Sequence, residues 1–223
     1  MFSIKGGIRL LAATSIQEFA TRLASREPAP GGGSAAAVSG LLGVSLSEMV
    51  LNLTIGRPDF ADQAEFLLQK QKELAELHIK VQVMIDADAA AFNELMATFA
   101  LPKATEEEKK ARSQAIQEAT IKASEVPLEL AGLGLQTLQI AGTLVGKINP
   151  HAASDLLVST LASHAAVRSA LLNTAINLPG LKNPAVAASL EKRLREIVAA
   201  ADAQAETICK AMYAEPPFTV MKG

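Results

Sequence analysis

The sequence predicts an all-α fold: a single-domain bundle of long helices. Three observations carry this. Apolar residues fill 49% of the 223 positions while aromatics fill only 4%, so the hydrophobicity comes from Ala, Leu, Ile and Val, which suit closely packed helices. Apolar residues also recur at intervals of three, four and seven over long stretches, the period of a helix face. A long periodic stretch ending at Phe99 also contains no Gly or Pro, which leaves room for one long helix or two nearly collinear ones.

Taken in order, Ser15 and Glu18 have capping-box spacing and predict a first helix over residues 17–25. Pro28, Pro30 and Gly31–Gly33 cannot continue it. Ser34 then reads as the N-cap of a second helix over 35–55, apolar on most sides and ended by Gly56. Beyond Pro58, Leu67, Leu74, Leu77, Val81 and Met84 mark one face of a long helix, or two collinear ones, reaching Phe99. Leu101-Pro102-Lys103 breaks the pattern, and Thr105 with Glu108 supplies a second capping box. The helix it opens runs toward Ser124. Pro127 ends it or starts an apolar helix over 128–145, where Gly132 and Gly134 let another helix approach closely. A loop over 146–151 leads to a helix over 154–177, and Asn183-Pro184 opens a last one reaching Met212.

Residues 1–223 read as one domain, because no repeat, low-complexity segment or flexible linker divides them. Two broadly apolar helices are hard to cover in a chain this size, which predicts a homo-oligomer, most simply a homodimer. Residues 35–53 approach the length of a membrane span. Glu48 and several Ser, Gly and Asn positions interrupt them, so no membrane association is expected. The stretch Met1 to Thr14 lacks a clean apolar run before a cleavage site and reads as no signal peptide. Cys209 is the only cysteine, which excludes an intrachain disulfide and fits a reducing cytoplasm. A net charge of -2, no Trp and one Tyr argue against a nucleic-acid partner.

Three segments could carry chemistry. The turn Pro30, Gly31, Gly32, Gly33, Ser34 precedes a helix, where converging N–H groups and the helix dipole suit a carboxylate or phosphate; an ordinary interhelical loop is the plainer alternative. Asp88 shares a helix face with Met84 and Phe92, so its carboxylate must be paired, hydrogen-bonded or functional. Asp86 reads as a solvated surface acid. The turn Asn149-Pro150-His151 with Ser154 and Asp155 gathers polar groups at a helix start, although capping by Ser154 and a favourable dipole position for Asp155 would explain it. His151 and Asp155 have i,i+4 spacing, but no third ligand follows and no metal is expected. Arg168 and Asn177 lie in an apolar helix, where they could bond neighbouring helices instead of a ligand. His164 reads as a satisfied core or interface residue.

The ordered set Pro28 to Ser34, Met49 to Gly56, Asp88 with Ala91-Phe92, Leu101-Pro102-Lys103, Val126-Pro127, Ser154-Asp155, Asn173 and Asn177 resembles the cyclodeaminase/cyclohydrolase family from about Ser15 to Met212. The resemblance implies an all-helical homodimer with folate sites near the subunit interface. It implies a tetrahydrofolate derivative as substrate, with no tightly bound cofactor. Two reactions follow from it. Water opens 5,10-methenyltetrahydrofolate to 10-formyltetrahydrofolate, or 5-formiminotetrahydrofolate closes to the methenyl compound and loses ammonia. Asp88 and Asp155 are then the acid/base and cation-stabilising candidates. Gly31 to Ser34 would hold folate or its glutamate tail, and Lys103, Arg112 or Arg168 would neutralise tail carboxylates. His151 stands where family members often carry asparagine, which bears on the choice of reaction. The cyclohydrolase reading ranks first and the cyclodeaminase second. A non-enzymatic helical scaffold is the remaining alternative.

Overall fold

The structure is a computed structural model that describes residues 10–222. The first nine residues of the stretch read for a signal peptide lie outside the described ones. The described residues form six α-helices, joined by turns and short 3-10 segments, and no strand. They are α1 (Ile16–Leu23), α2 (Gly32–Asn52), α3 (Ala64–Phe99), α4 (Glu106–Leu144), α5 (Ala153–Asn177) and α6 (Pro184–Tyr213).

Helices α2, α3, α4 and α5 form a four-membered bundle: α2 and α4 each pack on both α3 and α5, and α6 lies against α4 and α5. The core is aliphatic, with Leu51, Leu67, Leu74, Leu128, Leu138, Leu144 and Leu156 fully enclosed. Among the described residues, α2 is the one helix long and apolar enough to cross a membrane, and half of its apolar window is buried in the bundle.

Small residues set how closely α2 meets α5. Ser47 Oγ lies 2.7 Å from Ser159 Oγ, Ser159 Oγ donates to Gly43 O at 2.6 Å, and Ser39 Oγ donates to Ala162 O at 3.0 Å. A Cβ on Gly43 would sit 2.2 Å from Ser163 Oγ and 3.0 Å from Ser163 N. The neighbour is partly backbone and cannot simply turn aside. Gly43→Ala is therefore expected to cost about 1–3 kcal/mol by overpacking, read as a lower urea midpoint at unchanged slope.

Most expected elements form. Ser15 Oγ accepts from Glu18 N, Thr105 and Glu108 make a full capping box, and Asn183 accepts from Ala185 and Val186 N. The periodic stretch ending at Phe99 is one helix, α3. Four expectations are corrected. Ser34 is not an N-cap: Gly31 is, and α2 starts at Gly32 because Ser34 is drawn into the bundle by α3. Pro127 does not divide α4, for a reason given below. Gly132 has no neighbour within 4 Å of a Cβ, whereas Gly134 meets Val167 Cγ2 at 2.7 Å, so only the second marks a close approach. Asp86 is not a solvated acid, since it accepts from Leu11 N at 2.6 Å and Ala12 N at 3.2 Å and fixes the segment before α1.

Candidate active site

The N-terminus of α2, the middle of α3 and the C-terminus of α5 meet at one end of the bundle. Between them lies a cleft of about 310 Å³ lined by Gly31, Gly32, Gly33, Asp88, Phe92, Leu95, Ala123, Asn173, Ile176 and Asn177, among others. Asp88 is the one ionisable side chain in this lining.

Asp88 stands over the start of α2. Its carboxylate accepts from the Ser34 hydroxyl at 3.3 Å and from the Ser34 backbone N–H, while Ser34 Oγ also donates to Ile85 O at 2.9 Å. Burial raises the Asp88 pKa above its ordinary value, and the two Ser34 bonds oppose that rise without cancelling it. Gly33 makes the arrangement possible. A Cβ there would lie 1.9 Å from Asp88 Oδ1, so any side chain would displace the carboxylate. Gly32 faces Asn173 across the cleft, with a Cβ position 3.5 Å from the amide.

Pro127 explains the asparagine wall. Lacking an N–H, it leaves the carbonyl of Ala123, four residues earlier, without its helical partner. Asn177 Nδ2 donates to that carbonyl at 3.0 Å and to Asn173 O at 3.1 Å, and Thr174 Oγ1 donates to Ser124 O at 3.2 Å. Helix α4 therefore continues through the proline by borrowing donors from α5, and the same bonds hold Asn177 against the cleft. Asn177→Ala should destabilise the protein by about 1 kcal/mol, the net worth of a hydrogen bond to a part-buried carbonyl. In a Pro127→Ala background the restored N–H should remove most of that cost, and thermal denaturation of the four proteins checks it.

The other expected site residues fall elsewhere. Pro30 is buried beside the cleft turn. Asn149 caps the 3-10 turn before α5 by accepting from His151 N at 3.1 Å, and its amide donates to Leu53 O at 3.2 Å. Ser154 is exposed and caps nothing, because the helix starts one residue earlier with Ala152 in the cap position. His151 and Asp155 share that end of α5, while Asn173 and Asn177 occupy the other. At about 1.5 Å per residue, Asp155 lies some 27 Å along the axis from Asn173, so one chain does not bring Asp88 and Asp155 together. Arg168 faces α6, where it and His164 both bind Asp202, at 2.7 and 2.7 Å, and hold its pKa down. His164 is thus a satisfied residue at the contact of α5 with α6, as expected of a core or interface histidine, whereas Arg168 lies away from the cleft. Lys103 is exposed between α3 and α4, and Arg112 donates to Phe99 O at 3.1 Å over the Phe99 ring. Both stand beyond the cleft at the same end of the bundle, outside its lining.

Sequence reasoning passed over Leu95, Ile176 and Ala123 as cleft residues. Nothing in their type marks them, since apolar lining and apolar core look alike in one sequence. Asn173 was legible through its spacing of four from Asn177.

A family model described as formiminotransferase-cyclodeaminase matches residues 15–196, most of the chain. The chain belongs to the formiminotransferase-cyclodeaminase family. Among members, it is 39% identical over 194 residues to a methenyltetrahydrofolate cyclohydrolase of Methylorubrum extorquens, covering 87% of this chain and 93% of that one. It is 32% identical to the formimidoyltransferase-cyclodeaminase of Sus scrofa, covering 86% of this chain but 36% of that protein. A crystal structure of formiminotetrahydrofolate cyclodeaminase from Thermotoga maritima superposes with a TM-score of 0.82 at 24% identity, covering 91% of this chain and 97% of that one, a likeness of fold.

Proposed function

We propose that this member of the family is a methenyltetrahydrofolate cyclohydrolase, converting 5,10-methenyltetrahydrofolate and water to 10-formyltetrahydrofolate. The observation that carries the reading is Asp88, a lone, partly buried carboxylate in an otherwise uncharged cleft. The methenyl bridge is a cation. A single anion in a low-dielectric cleft stabilises it without competing charges. Asp88 takes a proton from water as the oxygen bonds to the bridge carbon, giving a tetrahedral centre between two nitrogens. It returns that proton to N5 as the carbon–N5 bond breaks. The remaining hydroxyl proton leaves to solvent as the formyl carbonyl forms. Water is the co-reactant, and no tightly bound cofactor takes part. The 39% identity over nearly the whole length of a cyclohydrolase supports this choice.

The cyclodeaminase reaction is the second reading, supported by the likeness to the Sus scrofa protein. It passes through the same kind of tetrahedral centre, with ammonia leaving. Two parallel assays separate them: loss of the methenyl chromophore, and ammonia release from 5-formiminotetrahydrofolate. The proposal expects the first to exceed the second by at least an order of magnitude, and activity in neither would favour a scaffold. We further propose a cytoplasmic homodimer, a state supported by exposed apolar residues on α2 and α5.

The raised pKa of Asp88 has a consequence for pH. The ionised form is the working base, so turnover should fall as pH drops through a value above the ordinary carboxylate pKa of 3.8. For stability the sign is opposite. Burial favours the neutral carboxyl, so this group's contribution is most favourable below its ordinary pKa and declines as pH rises through the raised one.

A further inference from the structure

Two asparagine side chains, Asn173 and Asn177, line the cleft from successive turns of α5. Backbone carbonyls fix the orientation of both amides. Asn177 Nδ2 donates to Ala123 O at 3.0 Å and to Asn173 O at 3.1 Å, which uses both of its N–H bonds and leaves Oδ1 as an acceptor alone. Asn173 Nδ2 donates to Ser169 O at 2.8 Å, which leaves one N–H and Oδ1. Neither Oδ1 accepts a hydrogen bond from a described residue. Turning either amide over would set oxygen against oxygen. The pair therefore offers two acceptors and one donor.

The pterin ring of a folate carries the complementary edge, two donors and one acceptor: its 2-amino group, its N3–H and its 4-oxo oxygen. Cβ atoms four residues apart on a helix lie about 5–6 Å from each other, near enough for neighbouring groups of one ring to reach both amides. A carboxylate could hold the same two donors, but Asp88 is the one ionisable side chain in the lining. The Asp88 carboxylate stands at the Cβ position of Gly33, whereas the Asn173 amide stands at that of Gly32. Successive helix residues point about 100° apart, so the two groups meet different parts of one ligand. Phe92, Leu95 and Ile176 supply apolar surface for the faces of the ring. We propose that Asn177 and Asn173 read the 2-amino and N3–H edge of the pterin, and so decide which ring the cleft accepts, while Asp88 acts on the bridge. This rests on the folate reading above.

Folates in which hydrogen replaces the 2-amino group test it. Wild type should convert the desamino methenyl compound with kcat/KM about tenfold below that of the natural one, the worth of one hydrogen bond. Most of that loss should fall in KM. Asn177 is varied in the Pro127→Ala background, where the restored N–H serves Ala123 O. There Asn177→Ala should raise KM for the natural compound about tenfold and treat the two compounds alike, while Pro127→Ala alone should still distinguish them. Asn173→Ala should raise KM for both compounds by a similar factor, because both keep N3–H. Equal handling of the two compounds by wild type, or discrimination that survives Asn177→Ala, would overturn the proposal. Discrimination lost in Asp88→Asn alone would also overturn it, by giving the edge to the carboxylate. Calorimetry with tetrahydrofolate and its desamino analogue separates the edge from the reaction. Tighter binding of the amino compound without turnover of either bridge would support the edge assignment and refute the cyclohydrolase reading. Binding of neither compound would refute the folate reading and this proposal with it.

Discussion

Asp88→Asn is expected to lower turnover of 5,10-methenyltetrahydrofolate by about a thousandfold, within the range for loss of a positioned acid or base, while leaving the fold intact. The amide keeps the shape of the carboxyl but can neither carry the proton between water and N5 nor offset the positive bridge. Stability should not suffer, because burial already disfavours the ionised carboxylate. Helical content and melting temperature at neutral pH should therefore match or exceed those of the wild type. A variant that unfolds would instead assign Asp88 to holding α2 on α3 through Ser34. Steady-state kinetics beside a denaturation curve separates these outcomes.

Gly33→Ala is the second large effect, and it acts through geometry. The added Cβ would meet Asp88 Oδ1 at 1.9 Å, Cγ at 2.3 Å and Oδ2 at 2.6 Å, so the carboxyl must move. A shift of about 1 Å in a catalytic group costs on the order of a hundredfold in rate. The overpacking adds about 1–3 kcal/mol of instability. Gly32→Ala is the control, because its Cβ would meet the Asn173 amide at an ordinary 3.5 Å. The prediction is a steep loss of turnover at position 33 and a mild one at 32, although both residues belong to one glycine run. Equal losses would mean that the run serves only to start the helix.

The contrast between those two glycines shows where sequence reasoning reached its limit. The run itself was legible as a turn before a helix, and Asp88 as a carboxylate on an apolar face. Their meeting was not, since fifty-four positions separate Ser34 from Asp88 and only the packing of α2 on α3 joins them. Pro127 failed in the other direction. Local rules read a proline as a helix end, but donors from α5 take up the carbonyl it frees, and the helix goes on. The type and position of Ser154 suit a cap, yet the turn before α5 is held by Asn149. Helix existence followed from periodicity almost everywhere. What the chain could not reveal was which polar side chains satisfy a distant backbone group and which face open space.

The most direct test of the central claim is the pH dependence of methenyl-chromophore loss, measured for wild type and Asp88→Asn and corrected for the uncatalysed rate. The account predicts that wild-type kcat/KM rises with pH through one ionisation above the ordinary carboxylate value of 3.8, and that the Asn variant, slower by about a thousandfold, lacks that ionisation. The same acid limb in both proteins, or a variant that hydrolyses the bridge at the wild-type rate, would contradict it.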